Sequence, residues 1–119
     1  MNITHFEVLD EDKKLLQSLA TNIGGLEQDK IEYIESNLDH ATISRAAKAE
    51  VVTVFVNSMV DKAIIDALPE LKLIITRSTG FDHIDVAYAQ SKGITVCNVP
   101  AYGSRTVAEF TFALMLGLS

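Results

Sequence analysis

The chain has 119 residues, of which 48% are hydrophobic and 22% are charged, and its net charge is −6. This length is enough for one compact domain, and the composition indicates a folded core rather than disorder. The negative charge argues against a nucleic-acid partner, which requires a basic surface. The amino end lacks the pattern of a signal peptide, and no apolar run reaches membrane-spanning length, so no membrane association is expected.

Apolar runs alternate with helical patterns along the chain. Strands are predicted at 3–9, 30–35, 51–56, 71–77 and 94–99. Helices are predicted over 10–23 with Asp10 as cap, over 43–48, from Ser58 in a capping box with Asp61 to 68, and from Asp82 and Asp85 to 92. This alternation predicts an α/β fold, a flavodoxin-like five-stranded parallel sheet of order 2-1-3-4-5 with helices on both faces.

The segment 71–85, LKLIITRSTGFDHID, is the central feature of the chain. An apolar strand runs into a turn that contains Gly80, and a helix follows. In parallel α/β sheets ligands bind at the carboxyl ends of strands, and free N–H groups in such a turn suit an anion. The residues alone support two interpretations equally: an anion-binding turn, or an ordinary turn whose geometry glycine permits.

Four polar residues near this turn have simpler interpretations than catalysis. Arg77 is expected to form a salt bridge with a nearby carboxylate. Asp82 and Asp85 resemble a catalytic acid pair, but capping of a helix start explains them better. His83 is expected in the first turn of that helix, partly exposed and not acting as a base. The lone Cys97 is interpreted as a buried structural residue rather than a catalytic thiol, and its reduced form favours the cytoplasm.

A further helix is predicted after residue 105. Thr106 matches a capping box with Glu109, although Ser104 is a competing cap, and no charged residue follows Glu109. A helix that is apolar on every face has to be buried on every face. We therefore expect 106–118 to pack against a second domain, another chain or both, and the chain to be a fragment of a larger protein.

Several blocks resemble the D-isomer-specific 2-hydroxyacid dehydrogenase family: LKLI at 71–74, RSTGFDHID at 77–85, KGI at 92–94, CNVPAYG at 97–103 and TVAE at 106–109. The resemblance implies a partial flavodoxin-like substrate-binding domain at 1–102. It also implies that 103–119 begins an interdomain helix leading to an NAD-binding Rossmann domain outside this chain. No G-x-G-x-x-G motif is present, and the family's catalytic Arg, Glu and His lie downstream. No catalytic residue and no metal site are therefore expected here.

The resemblance also assigns binding residues. Thr79 and Gly80 match the turn whose backbone amides hold the substrate carboxylate, and Tyr102 matches a position at the substrate mouth, where packing is an equal alternative. Thr79 and Thr106 match positions near the nicotinamide. From their place at the end of the neighbouring strand, Asn57 and Ser58 are expected to face the same cleft, although capping is the main role predicted for Ser58.

The parent protein is therefore expected to be a cytoplasmic, homodimeric oxidoreductase that moves a hydride between NAD(H) and C2 of a D-2-hydroxy or 2-keto acid. The choice between NAD and NADP stays open, because the residue that discriminates them lies outside this chain. The alternative is a stand-alone flavodoxin-like module that binds a small molecule without catalysis. A signalling receiver domain is rejected, because Asn57 and Ser58 stand where it needs a phospho-accepting aspartate.

Overall fold

The structure, a computed structural model, describes residues 1–23, 30–78 and 80–98. Within these ranges the strands are β1 (Asn2–His5), β2 (Lys30–Tyr33), β3 (Val51–Val54), β4 (Leu73–Thr76) and β5 (Thr95–Asn98). The α-helices are α1 (Asp10–Ile23), α2 (Lys62–Asp66) and α3 (Val86–Ser91), and a short 3-10 helix covers Ile43–Ala46.

The five strands form one parallel sheet of order β2-β1-β3-β4-β5. This confirms the flavodoxin-like order predicted from the alternation of strands and helices. Every residue of β3 and β4 is buried, since these apolar segments have no face that favours water. The more polar β2 lies at the sheet edge, where its residues stay partly exposed.

Helices cover both faces of the sheet, as predicted. On one face, Leu16 of α1 belongs to an apolar cluster with Val51 and Ile75. On the other face, Val52 and Ile74 belong to a second cluster that includes residues of α2, α3 and the 3-10 helix. Neighbours such as Val51 and Val52 join opposite clusters because side chains alternate along a strand. The faces are thus filled, and the strand ends remain for a site.

Helix α2 begins later than predicted. Its cap is Asp61, whose side chain accepts a hydrogen bond from the N–H of Ile64 at 3.0 Å, so the predicted Ser58 cap is wrong. The reason is a long-range contact: Val60 forms a parallel bridge with Ile84. This bridge holds the residues before α2 in an extended conformation, which a local capping pattern does not reveal.

Helix α3 also begins later. Asp85 is its cap and accepts from the N–H of Tyr88 at 3.1 Å, which confirms the predicted capping role. Asp82 and His83 precede the helix, so the placement of His83 in the first turn is wrong. Gly93 follows the helix with φ +77°, a left-handed conformation that suits glycine at a helix end.

Three further expectations concern element ends. Strand β3 ends at Val54, so Phe55 and Val56 lie outside it and are 39% and 51% exposed. Helix α1 includes Asp10, which therefore belongs to the first turn instead of capping it. The predicted helix at 106–118 lies outside the described residues. Among the helices in the described ranges, none combines the length and apolarity needed to cross a membrane.

Candidate functional site

The carboxyl ends of β1, β3 and β4 meet at one edge of the sheet, where parallel α/β domains bind ligands. Glu7 follows β1, Asn57 follows β3 and Gly80 follows β4. Large exposed apolar side chains follow the same three strands, namely Leu9, Phe55, Val56, Met59 and Phe81. We refer to these five side chains as the apolar rim. An exposed apolar surface of this kind is suited to contact with a ligand or with another protein surface.

Gly80 lies in the turn after β4, and the space that a side chain would occupy at this position is open. Its φ is not positive, and a Cβ built on it would meet no atom within 4 Å. Neither backbone strain nor a close neighbour therefore requires glycine at this position. Thr79, the other residue predicted in this turn, lies outside the described residues.

The backbone of this turn presents hydrogen-bond donors. In the described part of the chain, the N–H groups of Gly80 and Phe81 donate to no acceptor. Phe81 itself is 48% exposed. Adjacent free N–H groups in a turn are the feature that small anions bind.

Hydrogen bonds from the side chains of Thr76, Ser78 and His83 hold the carbonyl side of the turn. The Ser78 hydroxyl donates to the carbonyl oxygen of Gly80 at 2.7 Å. Ser78 Oγ lies 2.6 Å from Thr76 Oγ1, and Thr76 Oγ1 lies 2.9 Å from His83 Nε2. Thr76 is fully buried, whereas His83 is half-buried. His83 is therefore partly exposed, as predicted, and its Nε2 is engaged with a threonine hydroxyl.

Glu7 fixes the loop after β3. Its Oε1 accepts from the N–H of Asn57 at 2.9 Å, and its Oε2 accepts from the N–H of Phe55 and the hydroxyl of Ser58, each at 2.7 Å. Glu7 has φ +57°, which is uncommon for a residue with a side chain. Glu7 was not predicted from the sequence, because its partners lie about 50 positions away and leave no local pattern.

The two residues predicted after β3 lie in different environments. Ser58 is 1% exposed, and its hydroxyl donates to Glu7 while accepting from the N–H of Leu38 at 2.9 Å. These bonds make Ser58 a support for the loop. Asn57 is exposed, and its carbonyl oxygen accepts from Asn37 Nδ2 at 3.1 Å. Of the pair, Asn57 is the residue whose side chain lies at the surface of this edge.

Arg77 joins β4 to the loop after β1. It is only 8% exposed, and its Nη2 donates to the carbonyl oxygens of Phe6 and Glu7. The ion pairs in the described ranges are formed by other residues, so the predicted salt bridge of Arg77 is wrong. The bend at Glu7 turns two carbonyls toward Arg77 instead. Burial lowers the Arg77 pKa, while the charges of Asp12 and Glu7 act in the opposite direction.

His5 is a core residue at the end of β1. Its Nδ1 lies 2.7 Å from Thr53 Oγ1, and its ring stacks on Tyr33 with centroids 5.3 Å apart. Burial, assisted by the charge of Arg77, lowers the pKa of His5 to about 3. His5 is therefore neutral near pH 7.

The remaining candidate groups have structural roles or lie elsewhere. Burial raises the pKa of the Cys97 thiol, which opposes formation of a reactive thiolate. Cys97 is half-buried, less than predicted. Among the residues that the structure describes, no group of three or more His, Cys, Asp or Glu is arranged to hold a metal ion. The predicted contacts of Tyr102 and Thr106 lie outside the described residues.

A parallel sheet of this order, with helices on both faces, defines a flavodoxin-like domain. The sequence matches the family described as "D-isomer specific 2-hydroxyacid dehydrogenase, catalytic domain" over residues 3–114. The chain belongs to this family.

Relatives support the same assignment. The 2-hydroxyacid dehydrogenase homolog 1 of Schizosaccharomyces pombe is 38% identical over 121 residues, which is 100% of this chain and 35% of the relative. The structure of D-lactate dehydrogenase from Aquifex aeolicus, complexed with NAD and lactic acid, is similar with a TM-score of 0.72 and 35% identity, over 97% of this chain and 33% of that one. The apo-structure of the Escherichia coli D-lactate dehydrogenase gives a TM-score of 0.75 at 29% identity, over 99% and 37%. The chain thus spans about a third of the length of these relatives.

Proposed function

We propose that this chain is the substrate-binding part of an NAD-dependent D-2-hydroxyacid dehydrogenase, which interconverts D-2-hydroxy acids and 2-keto acids by hydride transfer. The observation that carries the proposal is the pair of N–H groups at Gly80 and Phe81, which donate to no acceptor among the described residues and lie beside open space at the ligand-binding edge. In this proposal the turn at 79–80 binds the substrate carboxylate. The absence of a Cβ on Gly80 allows a carboxylate oxygen to approach the backbone closely.

The proposed division of labour follows from what this chain lacks. Its sequence has no G-x-G-x-x-G motif, so a segment outside it binds most of the dinucleotide and supplies the catalytic Arg, Glu and His. NAD, when bound, accepts or donates the hydride. This chain orients the acid, and orientation of reactants contributes up to about 7–11 kcal/mol in favourable cases. The complex of the Aquifex relative with NAD and lactic acid supports this choice of ligands.

The remaining site residues keep supporting roles in the proposal. Thr79 and Thr106 contact the nicotinamide end of the cofactor, and Tyr102 lies at the substrate mouth. Asn57 faces the cleft, and Ser58 contributes by holding its loop. The apolar rim packs against the segment outside this chain that forms the other side of the substrate cleft. A cytoplasmic location and a homodimeric parent remain predictions, as does self-association of the chain through 106–118.

The test compares the full-length polypeptide with the 119-residue chain. Each is assayed with NADH and a series of 2-keto acids by following NADH absorbance. We expect turnover by the full-length protein only. Activity in the chain alone would contradict the division of labour. Binding of 2-keto acids without turnover by the full-length protein would favour the stand-alone binding module.

A further inference from the structure

The side chains that hold the turn form one continuous hydrogen-bond chain. It runs from His83 Nε2 to Thr76 Oγ1 at 2.9 Å, from Thr76 Oγ1 to Ser78 Oγ at 2.6 Å, and from Ser78 Oγ to the Gly80 carbonyl oxygen at 2.7 Å. Thr76 and Ser78 are 0% and 4% exposed, so water does not compete for their hydroxyl groups. We call this series of contacts the His83 chain.

The direction of each bond follows from counting hydrogens. A carbonyl oxygen only accepts, so the single hydroxyl hydrogen of Ser78 is donated to Gly80. Ser78 Oγ therefore accepts from Thr76, and this uses the single hydroxyl hydrogen of Thr76. Thr76 Oγ1 must then accept from His83. It follows that His83 carries a hydrogen on Nε2, and every bond in the chain points toward the turn.

The end of the His83 chain fixes one peptide group. The carbonyl oxygen of Gly80 and the N–H of Phe81 belong to the same peptide, and in a trans peptide these two groups point in opposite directions. No cis peptide bond occurs in the described residues. Because Ser78 holds the Gly80 carbonyl on its own side, the Phe81 N–H points away from Ser78. A flip of this peptide would turn the donor inward and the carbonyl oxygen outward.

We propose that His83 is a positioning residue for the substrate carboxylate. Its Nε2–H starts the ordered chain that keeps the Gly80 carbonyl turned inward and the N–H of Phe81 available to an anion. This inference rests on the proposed function, in which the turn binds a carboxylate. A donor role at Nε2 is available to neutral and to protonated histidine alike, whereas a base needs a free lone pair.

The decisive variant is Thr76→Val in the full-length enzyme, because it removes the middle of the chain with little change in shape. A carboxylate is bound in the ground state and in the transition state, so weaker positioning mainly raises KM. We expect KM for the 2-keto acid to rise about tenfold, with kcat reduced less than about threefold. We expect His83→Ala to behave similarly. His83→Gln retains an amide donor at comparable reach and is expected to restore most of the KM.

Thr53→Val is the matched control. Thr53 is also 0% exposed, and its hydroxyl also contacts a histidine, His5, at 2.7 Å. It lies on the neighbouring strand, and its hydroxyl contacts His5 rather than a residue of the turn. We expect Thr53→Val to reduce the stability of the enzyme about as much as Thr76→Val does, while KM for the 2-keto acid stays unchanged. Equal KM changes in Thr76→Val and Thr53→Val, or an unchanged KM in Thr76→Val, would overturn the inference.

A second measurement separates this inference from the proposed function. Nitrogen-15 NMR of the neutral His83 ring in the full-length enzyme is expected to show the Nε2–H tautomer. The Nδ1–H tautomer would overturn the hydrogen-bond chain, even in an active enzyme. A wild-type enzyme that turns over no 2-keto acid would overturn the proposed function and the positioning role with it. The NMR spectrum would still decide whether the hydrogen bonds of the His83 chain exist.

Discussion

The carboxylate of Glu7 and the hydroxyl of Ser58 form a hydrogen bond of 2.7 Å between residues 51 positions apart. The same carboxylate accepts from the N–H groups of Phe55 and Asn57, and the carbonyl of Glu7 accepts from Arg77. Glu7 thus connects the ends of β1, β3 and β4. It does so with φ +57°, a conformation that costs about 1 kcal/mol or more for a residue with a Cβ. The hydrogen bonds offset this cost and keep the ligand-binding edge together.

Replacement of Glu7 tests this connection. Glu7→Ala removes the acceptor for the buried Ser58 hydroxyl and retains the unfavourable φ. We expect the free energy of unfolding of the 119-residue chain to fall by about 2–3 kcal/mol, since an unmet buried donor costs about 1–3 kcal/mol. Glu7→Gly relieves the backbone strain and should lose about 1 kcal/mol less. Urea denaturation measures both changes.

Glu70→Ala is the control for Glu7. Glu70 is exposed in the turn before β4, and its replacement is expected to change stability by less than about 0.5 kcal/mol. If Glu7→Ala were as stable as Glu70→Ala, the three hydrogen bonds of Glu7 would contribute no net stability.

Alanine substitutions at Gly80 and Gly93 are expected to have opposite effects on stability and on KM. Gly80 has an ordinary φ and open space, so Gly80→Ala should leave stability unchanged or raise it by about 0.4–1 kcal/mol. Its new Cβ occupies the space proposed for the carboxylate, so KM of the full-length enzyme should rise at least about tenfold. This rise corresponds to roughly 1.4 kcal/mol of binding.

Gly93→Ala should show the opposite pattern. Gly93 has φ +77°, so the Cβ introduces strain of about 1 kcal/mol. Gly93 follows α3, far along the chain from the turn, and KM should not change. A Gly80→Ala enzyme with the KM of the wild type would argue that the carboxylate does not approach this glycine.

The pH dependence of stability tests the environment of His5. Its pKa is about 3 in the folded chain, through burial and the charge of Arg77, against 6.5 for an ordinary histidine. Between these values the unfolded chain binds a proton that the folded chain does not bind. This contribution to stability is therefore complete above about pH 6.5 and decreases as the pH falls toward 3. Between pH 7 and 5 the loss should be about 2 kcal/mol.

The comparison with His5→Asn isolates this effect. The asparagine does not titrate, and its amide can remain near Thr53, so carboxylates contribute equally to both proteins. Urea denaturation at pH 7 and at pH 5 should show the extra loss in the wild type only. Parallel losses in the two proteins would show that His5 is not held neutral by the fold.

The central sheet could be predicted from the sequence because its signals are local. The residues of β3 and β4 are buried throughout, and the apolar runs containing them already indicated central strands. The Asp85 cap was also local, since its partner Tyr88 lies three residues away.

The contacts at the strand ends were missed because they join distant segments. Arg77 contacts carbonyls about 70 positions away, and Ser58 supports a loop rather than a helix because Val60 pairs with Ile84. Binding by the turn stays a proposal, because no local pattern in the sequence separates an anion-binding turn from an ordinary one. Long-range geometry, rather than residue type, therefore decides the roles of Arg77 and Ser58.

Substitution of the two aspartates before α3 tests whether they serve helix capping or catalysis. Asp85 accepts from the N–H of Tyr88, so Asp85→Ala should lower the free energy of unfolding by about 1 kcal/mol, while Asp85→Ser should retain most of it. Asp82 is exposed and precedes the helix, so Asp82→Ala should change stability by less than about 0.5 kcal/mol. In the full-length enzyme both alanine variants should keep kcat within a few fold of wild type. A loss of kcat by a hundredfold or more in both variants, the range that acid–base groups contribute, would establish them as an acid pair.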